Sequence, residues 1–178
     1  MKISRIVLLF SLAVVMLGCS KDDGPDPTPP YTLTTANFPG IYAMNFLELK
    51  VAETITFSNG STSTSSSTKV GSVFQDVKYV FNANNTFTAS GYYNSVETIR
   101  NPDGTTEVKP IEIIALNKTG SFTLKPTQGI LTLTDQDTIT TVYEIKKYTP
   151  TEMWLYSEDV VTNGNSTVVT TQDVRFSR

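Results

Sequence analysis

The chain has no histidine, a single cysteine, and charge on only 17% of its 178 residues. Without histidine, no Ser-His-Asp triad, Cys-His dyad, His-bearing zinc site or imidazole proton shuttle can form. One cysteine excludes an intrachain disulfide and every CxxC metal or redox motif. Net charge is −3 and no basic block appears, so no nucleic-acid partner is expected. What is present is 39% hydrophobic, with eight tyrosines and nine phenylalanines. That composition packs a folded core instead of staying disordered.

The most apolar stretch lies at the start. Lys2 and Arg5 precede Ile6 to Leu17, an apolar run broken only by Ser11. As a helix this run rises about 18 Å, short of the roughly 30 Å of a hydrocarbon core. It reads as a signal peptide, not a spanning helix. The run ends in Met16-Leu17-Gly18-Cys19, which resembles the lipobox of bacterial lipoproteins. The resemblance implies a diacylglyceryl group on the Cys19 thiol, cleavage after Gly18, and acylation of the freed amine. Two or more acyl chains anchor stably, at about 0.8 kcal/mol per buried methylene. On the plainer reading, Cys19 merely ends a hydrophobic segment.

Ser20 to Pro30 carries four prolines, one glycine and three aspartates. Such a segment buries no core and reads as an extended, solvated tether. Lys21-Asp22-Asp23 is similar to the export tag of surface-exposed lipoproteins in Bacteroidetes. The expected organisation is a signal peptide over 1–18, a lipidated Cys19 with its tether over 19–33, and one domain over 34–178. The partner implied is a membrane, with the bacterial outer membrane as location.

From Thr34 onward the chain alternates with period two. Val77, Tyr79 and Phe81 share one strand face, as do Phe87, Ala89, Gly91 and Tyr93. Asn84-Asn85 between those runs signals a hairpin. Similar punctuation recurs at Asn101-Pro102-Asp103-Gly104, Pro126-Thr127-Gln128-Gly129, Asp135-Gln136-Asp137 and Tyr148-Thr149-Pro150-Thr151. Asn163-Gly164 predicts a type I′ turn. Roughly eight to ten strands follow, near 41–57, 73–81, 86–100, 105–116, 119–125, 129–134, 138–147, 152–161 and 166–176. No crossover helices separate them, so antiparallel pairing is expected.

Two segments are less plain. Ala43 to Glu53 also suits a helical period, yet Tyr42, Met44 and Phe46 alternate, and we read strand. Ser58 to Thr68 is serine-rich with no large apolar residue, and reads as a long mobile loop. A flat sheet of nine strands would leave two exposed edges. Short sequential hairpins favour closure into an up-and-down barrel over a Greek-key sandwich.

The sequence resembles the lipocalin-like domains of Bacteroidetes lipoproteins. The resemblance is carried by Phe38-Pro39-Gly40-Ile41-Tyr42, the Lys78 to Tyr93 hairpin, Gly120 to Leu124 and Gly129 to Thr134. It continues in Tyr143 to Lys147, Met153 to Tyr156 and Val174 to Arg178. It implies an all-β, antiparallel up-and-down barrel. Two departures stand out: Tyr42 replaces the family's tryptophan, and no C-terminal helix follows the last strand. The family's closure implies that Arg175 or Arg178 lies over Tyr42, with Gly40 letting the backbone pass close beneath. The competing reading makes both arginines ordinary solvated charges.

Tyr92, Tyr156 and Trp154 are candidate ligand-binding aromatics, although strand aromatics are more often packing. Tyr92 and Tyr156 combine apolar area with one hydroxyl. Neighbours such as Tyr92 and Tyr93 must face opposite sides of a strand. The carboxylates show no spacing that selects a glycosidase pair, and Asp135-Gln136-Asp137 lacks the remaining ligands of a calcium loop. Asp137-Thr138-Ile139 resembles the O-glycosylation acceptor of Bacteroidetes, making Thr138 a modification candidate. No catalytic residue, metal or cofactor is expected, and the chain is expected to be a monomer and not an enzyme.

Two functions follow. The first is non-covalent binding of a small, largely apolar ligand inside the barrel. The second is a surface interaction or inhibitor module with a filled barrel. Small antiparallel barrels of about eight strands do either. Inward residue volume decides between them.

Overall fold

The computed structural model describes residues 31–178. The signal peptide, Cys19 and the tether as far as Pro30 lie outside the described residues. Nine strands run in order: β1 (Gly40–Thr56), β2 (Thr62–Phe81), β3 (Thr86–Arg100), β4 (Thr106–Val108) and β5 (Glu112–Lys125), followed after a single 3-10 turn by β6 (Ile130–Asp135), β7 (Thr140–Tyr148), β8 (Glu152–Asn163) and β9 (Ser166–Ser177). Every pairing is antiparallel. The sheet order is β2-β1-β9-β8-β7-β6-β5-β3-β4, and β2 also pairs with β3. That last pairing closes eight strands into an up-and-down barrel. β4 is a three-residue addition beside the far end of β3.

Period-two alternation sets the inside. Val77 and Phe81 of β2, Phe87 and Ala89 of β3, Leu131 and Leu133 of β6, Met153 and Leu155 of β8, and Val174 and Phe176 of β9 are all buried. Phe38, from the segment before β1, joins them at 0% exposure. Its ring packs against Tyr42, Phe81 and Phe122 with centroids 4.8–5.8 Å apart. This aromatic plug forms a floor, and the chain enters the barrel there.

The structure revises three expectations. Ser58 to Thr68 is not a long loop. The turn shrinks to Phe57–Ser61, where the Phe57 N–H bonds the Ser61 carbonyl at 2.9 Å, and residues from Thr62 onward pair with β1. From Ser66 they also pair with β3. Serine and threonine give no apolar contrast for the eye to find, yet threonine is a good strand former. The break within 105–125 falls at residues 109–111, not at Asn117-Lys118. Pro110 has no N–H to give a ladder, while Asn117 and Lys118 pair with Ser90 and Ala89. The last hairpin turns on Gly164-Asn165, because Asn163 pairs with Ser166. Only Gly164 has positive φ there (60°), the pattern of a II′ turn.

Wall height is uneven. β6 and β7 have 6 and 9 residues, whereas β1 and β2 have 17 and 20. The β8 ladder with β7 stops at Tyr156, and β8 continues to Asn163 on β9 alone. The mouth therefore has one low side and one tall side. β2 bends sharply on the way: Val73 and Asp76 take φ of 48° and 50° where the register shifts twice. Opposite them Gly91 has φ +123°, and a Cβ there would sit 2.6 Å from the Asp76 carbonyl oxygen.

Candidate functional site

The plug fills the lower barrel, and above it the inward side chains thin out. Ala89 and Gly91 are small residues on the inner face of β3, and Leu116 and Lys118 stand beside them on β5. The space left is a cavity of about 200 Å³. Its apolar lining includes Met44, Leu47, Phe87, Leu116, Leu133 and Ile139. Its polar lining is Tyr79, Tyr93, Lys118, Asp135, Thr141, Tyr143 and Gln172. The cavity opens on the low side, beneath the β6–β7 turn.

Asp135 holds that turn. One carboxylate oxygen accepts the N–H groups of Asp137 and Ile139, each at 3.0 Å. The other meets Lys118 Nζ at 2.7 Å. The Asp135 side chain is 6% exposed and that of Lys118 44%, so the pair joins a buried anion to a half-open cation. The Lys118 hydrogen bond, followed by those from Ile139 and Asp137, holds the Asp135 carboxyl below the usual carboxylate range. Burial pushes the Tyr79 phenol up to about 12, with Tyr93 adding to it. Burial likewise raises Tyr143, with Tyr79 as the second cause, and Tyr93, with Glu112 as the second. These phenols stay neutral at any ordinary pH. The Tyr143 hydroxyl donates to Gln172 Oε1 at 2.9 Å.

At the floor, Arg178 rather than Arg175 lies over Tyr42, its guanidinium carbon 5.2 Å from the ring centroid. It donates to the Pro39 carbonyl at 3.0 Å and the Tyr148 hydroxyl at 2.9 Å. Tyr148 in turn donates to the Asn37 carbonyl at 2.7 Å, and Tyr42 to the Phe38 carbonyl. A Cβ on Gly40 would stand 3.1 Å from the Arg178 guanidinium. Glycine is what admits the arginine so close to the backbone. Burial, then the hydrogen bond with Tyr148, carries the Tyr42 phenol far above its ordinary range.

Arg175 faces outward. It stacks over Phe46 at 4.3 Å and Trp154 at 4.8 Å, and pairs with Asp173 at 2.7 Å. Lys147 covers Trp154 from β7 at 4.7 Å. Trp154 and Tyr156 alternate with buried Met153 and Leu155, so both stand on the outer wall. Tyr156 is capped by Lys146 and bonds Glu158. Tyr92 is outside too, at 55% exposure. None of these three expected ligand aromatics lines the cavity, because the inward parity belongs to their neighbours. Thr138 is exposed at the β6–β7 tip with φ 63°.

The cavity's own polar groups were not singled out by sequence. A signal existed for three of them. Tyr79 and Tyr93 share the inward parity of Phe81 and Phe87, and Lys118 falls on the inward parity of Leu116 and Phe122, where a charge is out of place. Among the described residues, no cluster of three or more metal-ligating side chains occurs. No protein-family model and no curated protein matches the chain, and the eight-stranded antiparallel barrel with its half-filled interior is what its function is read from.

Proposed function

We propose that the protein is a lipid-anchored protein of the bacterial outer membrane whose barrel mouth binds a small, largely apolar ligand without chemical turnover. The observation carrying this reading is the mouth cavity: open, mixed in lining, and set above an otherwise solid core. Pockets for drug-sized ligands span roughly 300–1,000 Å³, and about 200 Å³ is smaller. A dry cavity of about 150 Å³ nevertheless takes up benzene. The ligand is accordingly of the size of one aromatic ring or a short acyl chain. The anchor is Cys19, and the proline-rich segment that follows it links it to the barrel.

Native mass spectrometry of protein from its own cell, before and after lipid extraction, tests the ligand. A bound small molecule that extraction removes is the expected result. Leu116→Trp, which fills the cavity, abolishes it. Protein that carries nothing and takes up no octyl or aryl probe overturns the reading.

A surface interaction module is the second reading. Val108, Ile111 and Ile113 surround the β4–β5 link at 64–72% exposure, and Tyr92 lies diagonal to Ile113 across the ladder. Contiguous exposed apolar side chains of this kind mark contact surfaces.

A further inference from the structure

The mouth cavity has more hydrogen-bond donors than it uses. Asp135 spends both carboxylate oxygens on Lys118 and on two backbone N–H groups. Gln172 Oε1 is taken by Tyr143. Against these engaged acceptors stand donors with no protein partner among the described residues. The Tyr79 and Tyr93 hydroxyls bond nothing, yet neither is sealed away from the cavity space. Lys118 carries three N–H donors and commits one, to Asp135. Gln172 also lines the same space.

Register explains why these groups meet. Ala89 pairs with Tyr79 on one side and with Lys118 on the other. The three residues form one inward row across β2, β3 and β5, and the middle one contributes only a methyl. The phenol and the lysine side chain thus rise from positions flanking the same small residue, and the ammonium reaches on to Asp135 of β6. Tyr93 follows four residues along β3, on the same face, stacked on Phe74 at 5.8 Å. The row is backed by Phe87 and Phe176, against which the Tyr79 ring packs. Met44, Leu47, Leu116 and Leu133 line the remaining space.

We propose that the cavity takes a carboxylate-headed ligand, its oxygens bonded by the Tyr79 and Tyr93 hydroxyls and by Lys118 Nζ, its apolar tail on Met44, Leu47, Leu116 and Leu133. This rests on reading the mouth as a small-ligand site. Neutral phenols donate, and a hydrogen bond to an ionised acceptor is about twice as strong as one between neutral groups. Two anions oppose the assignment, Asp135 and Glu112. Asp135 is offset by its own three bonds, and Glu112 is exposed at the start of β5. A cationic ligand would find no uncommitted carboxylate in the lining, and an alcohol offers these donors one acceptor oxygen where a carboxylate offers two.

Calorimetric titration of the full chain at pH 7 with octanoate, octan-1-ol and octylamine tests this. The tails match and only the head changes. Octanoate is expected to bind at least about tenfold more tightly than the other two. Tyr79→Phe, which removes one oxygen and keeps the ring, is expected to weaken octanoate about fivefold and leave octan-1-ol unchanged. Lys118→Gln is expected to bring octanoate down to the octan-1-ol value. Octan-1-ol or octylamine matching octanoate overturns the carboxylate while the small-ligand site stands. Failure of all three probes to bind overturns the site as well.

Discussion

Arg178 lays its guanidinium over the ring of Tyr42 at 5.2 Å, across the seam where β9 meets β1. The same side chain donates to the Pro39 carbonyl and the Tyr148 hydroxyl. One residue therefore ties the last strand, the entry segment and β7 together at the floor.

Arg178→Ala is expected to lower stability by about 1–2 kcal/mol, from a lost cation–π contact and lost charge-assisted hydrogen bonds at an exposed site. Urea unfolding checks this: the midpoint should fall with an unchanged slope. Arg178→Lys restores the charge but not the planar fork, and recovers only part of the loss. An unchanged midpoint in Arg178→Ala would show the clamp to be ornamental.

Gly91 and Gly164 should respond very differently to alanine. At Gly91 the new Cβ meets the Asp76 carbonyl oxygen at 2.6 Å with φ +123°, whereas at Gly164 nothing lies within 4 Å. Gly164→Ala is expected to cost about 1 kcal/mol, from its positive φ alone. Gly91→Ala is expected to cost roughly 3 kcal/mol or more, because backbone must move. Thermal melts of the two variants side by side decide it.

Stability should fall at both ends of the pH scale, for different groups. The Asp135 carboxyl is lowered in the folded state. Its contribution is thus complete above the unfolded value of about 3.9 and is lost as pH falls through the folded one. Asp135→Asn should flatten that acid limb. The buried phenols run the other way. Tyr79 is raised to about 12, and Tyr42 and Tyr143 are raised as well. Their contribution is complete below the unfolded value of about 10 and lost as pH rises through the folded values. Phenolate absorbance during an alkaline titration should show exposed tyrosines ionising first, and the buried ones only with unfolding.

Trp154 is the sole tryptophan and stands on the outer wall between Arg175 and Lys147. Its emission should shift little when a ligand fills the mouth. It should change clearly in Arg175→Ala. A large ligand-induced shift would place the bound molecule outside the barrel.

Cys19→Ala should release the protein from membranes into the soluble fraction of its own cell, as fractionation would show. Continued membrane retention would count against the anchor.

Closure of the barrel was legible in the sequence because alternation survives wherever an apolar face meets a polar one. The runs ending at Phe81 and starting at Phe87 show this, and Lys78 to Phe81 pair residue for residue with Ser90 to Phe87. Two things hid. Residues 62–68 of β2 are serine and threonine on both faces, so no contrast marks them. The site hid for a different reason. Tyr92 and Tyr93 differ by one residue of parity, and Tyr93 shares the face of Phe87 and Ala89. The inward face is harder to follow along β1 and β2, since a single bulge reverses parity along a strand. β2 has two such irregularities and β1 one in each of its ladders. Parity on β5 turns Lys118 inward, but only the closed register sets it beside Ala89.

The glycines divide the molecule into a part that is fixed and a part that is free to drift. Gly40 and Gly91 are hemmed in by the clamp and the bent wall, whereas the tip glycines Gly60, Gly104 and Gly164 have open space around them. Lengthening such a tip costs little, since loop-closure entropy grows only slowly with length. The floor can thus stay constant through evolutionary change while the tips around the mouth are rewritten. One inherited barrel can in this way be given new mouths without being folded anew.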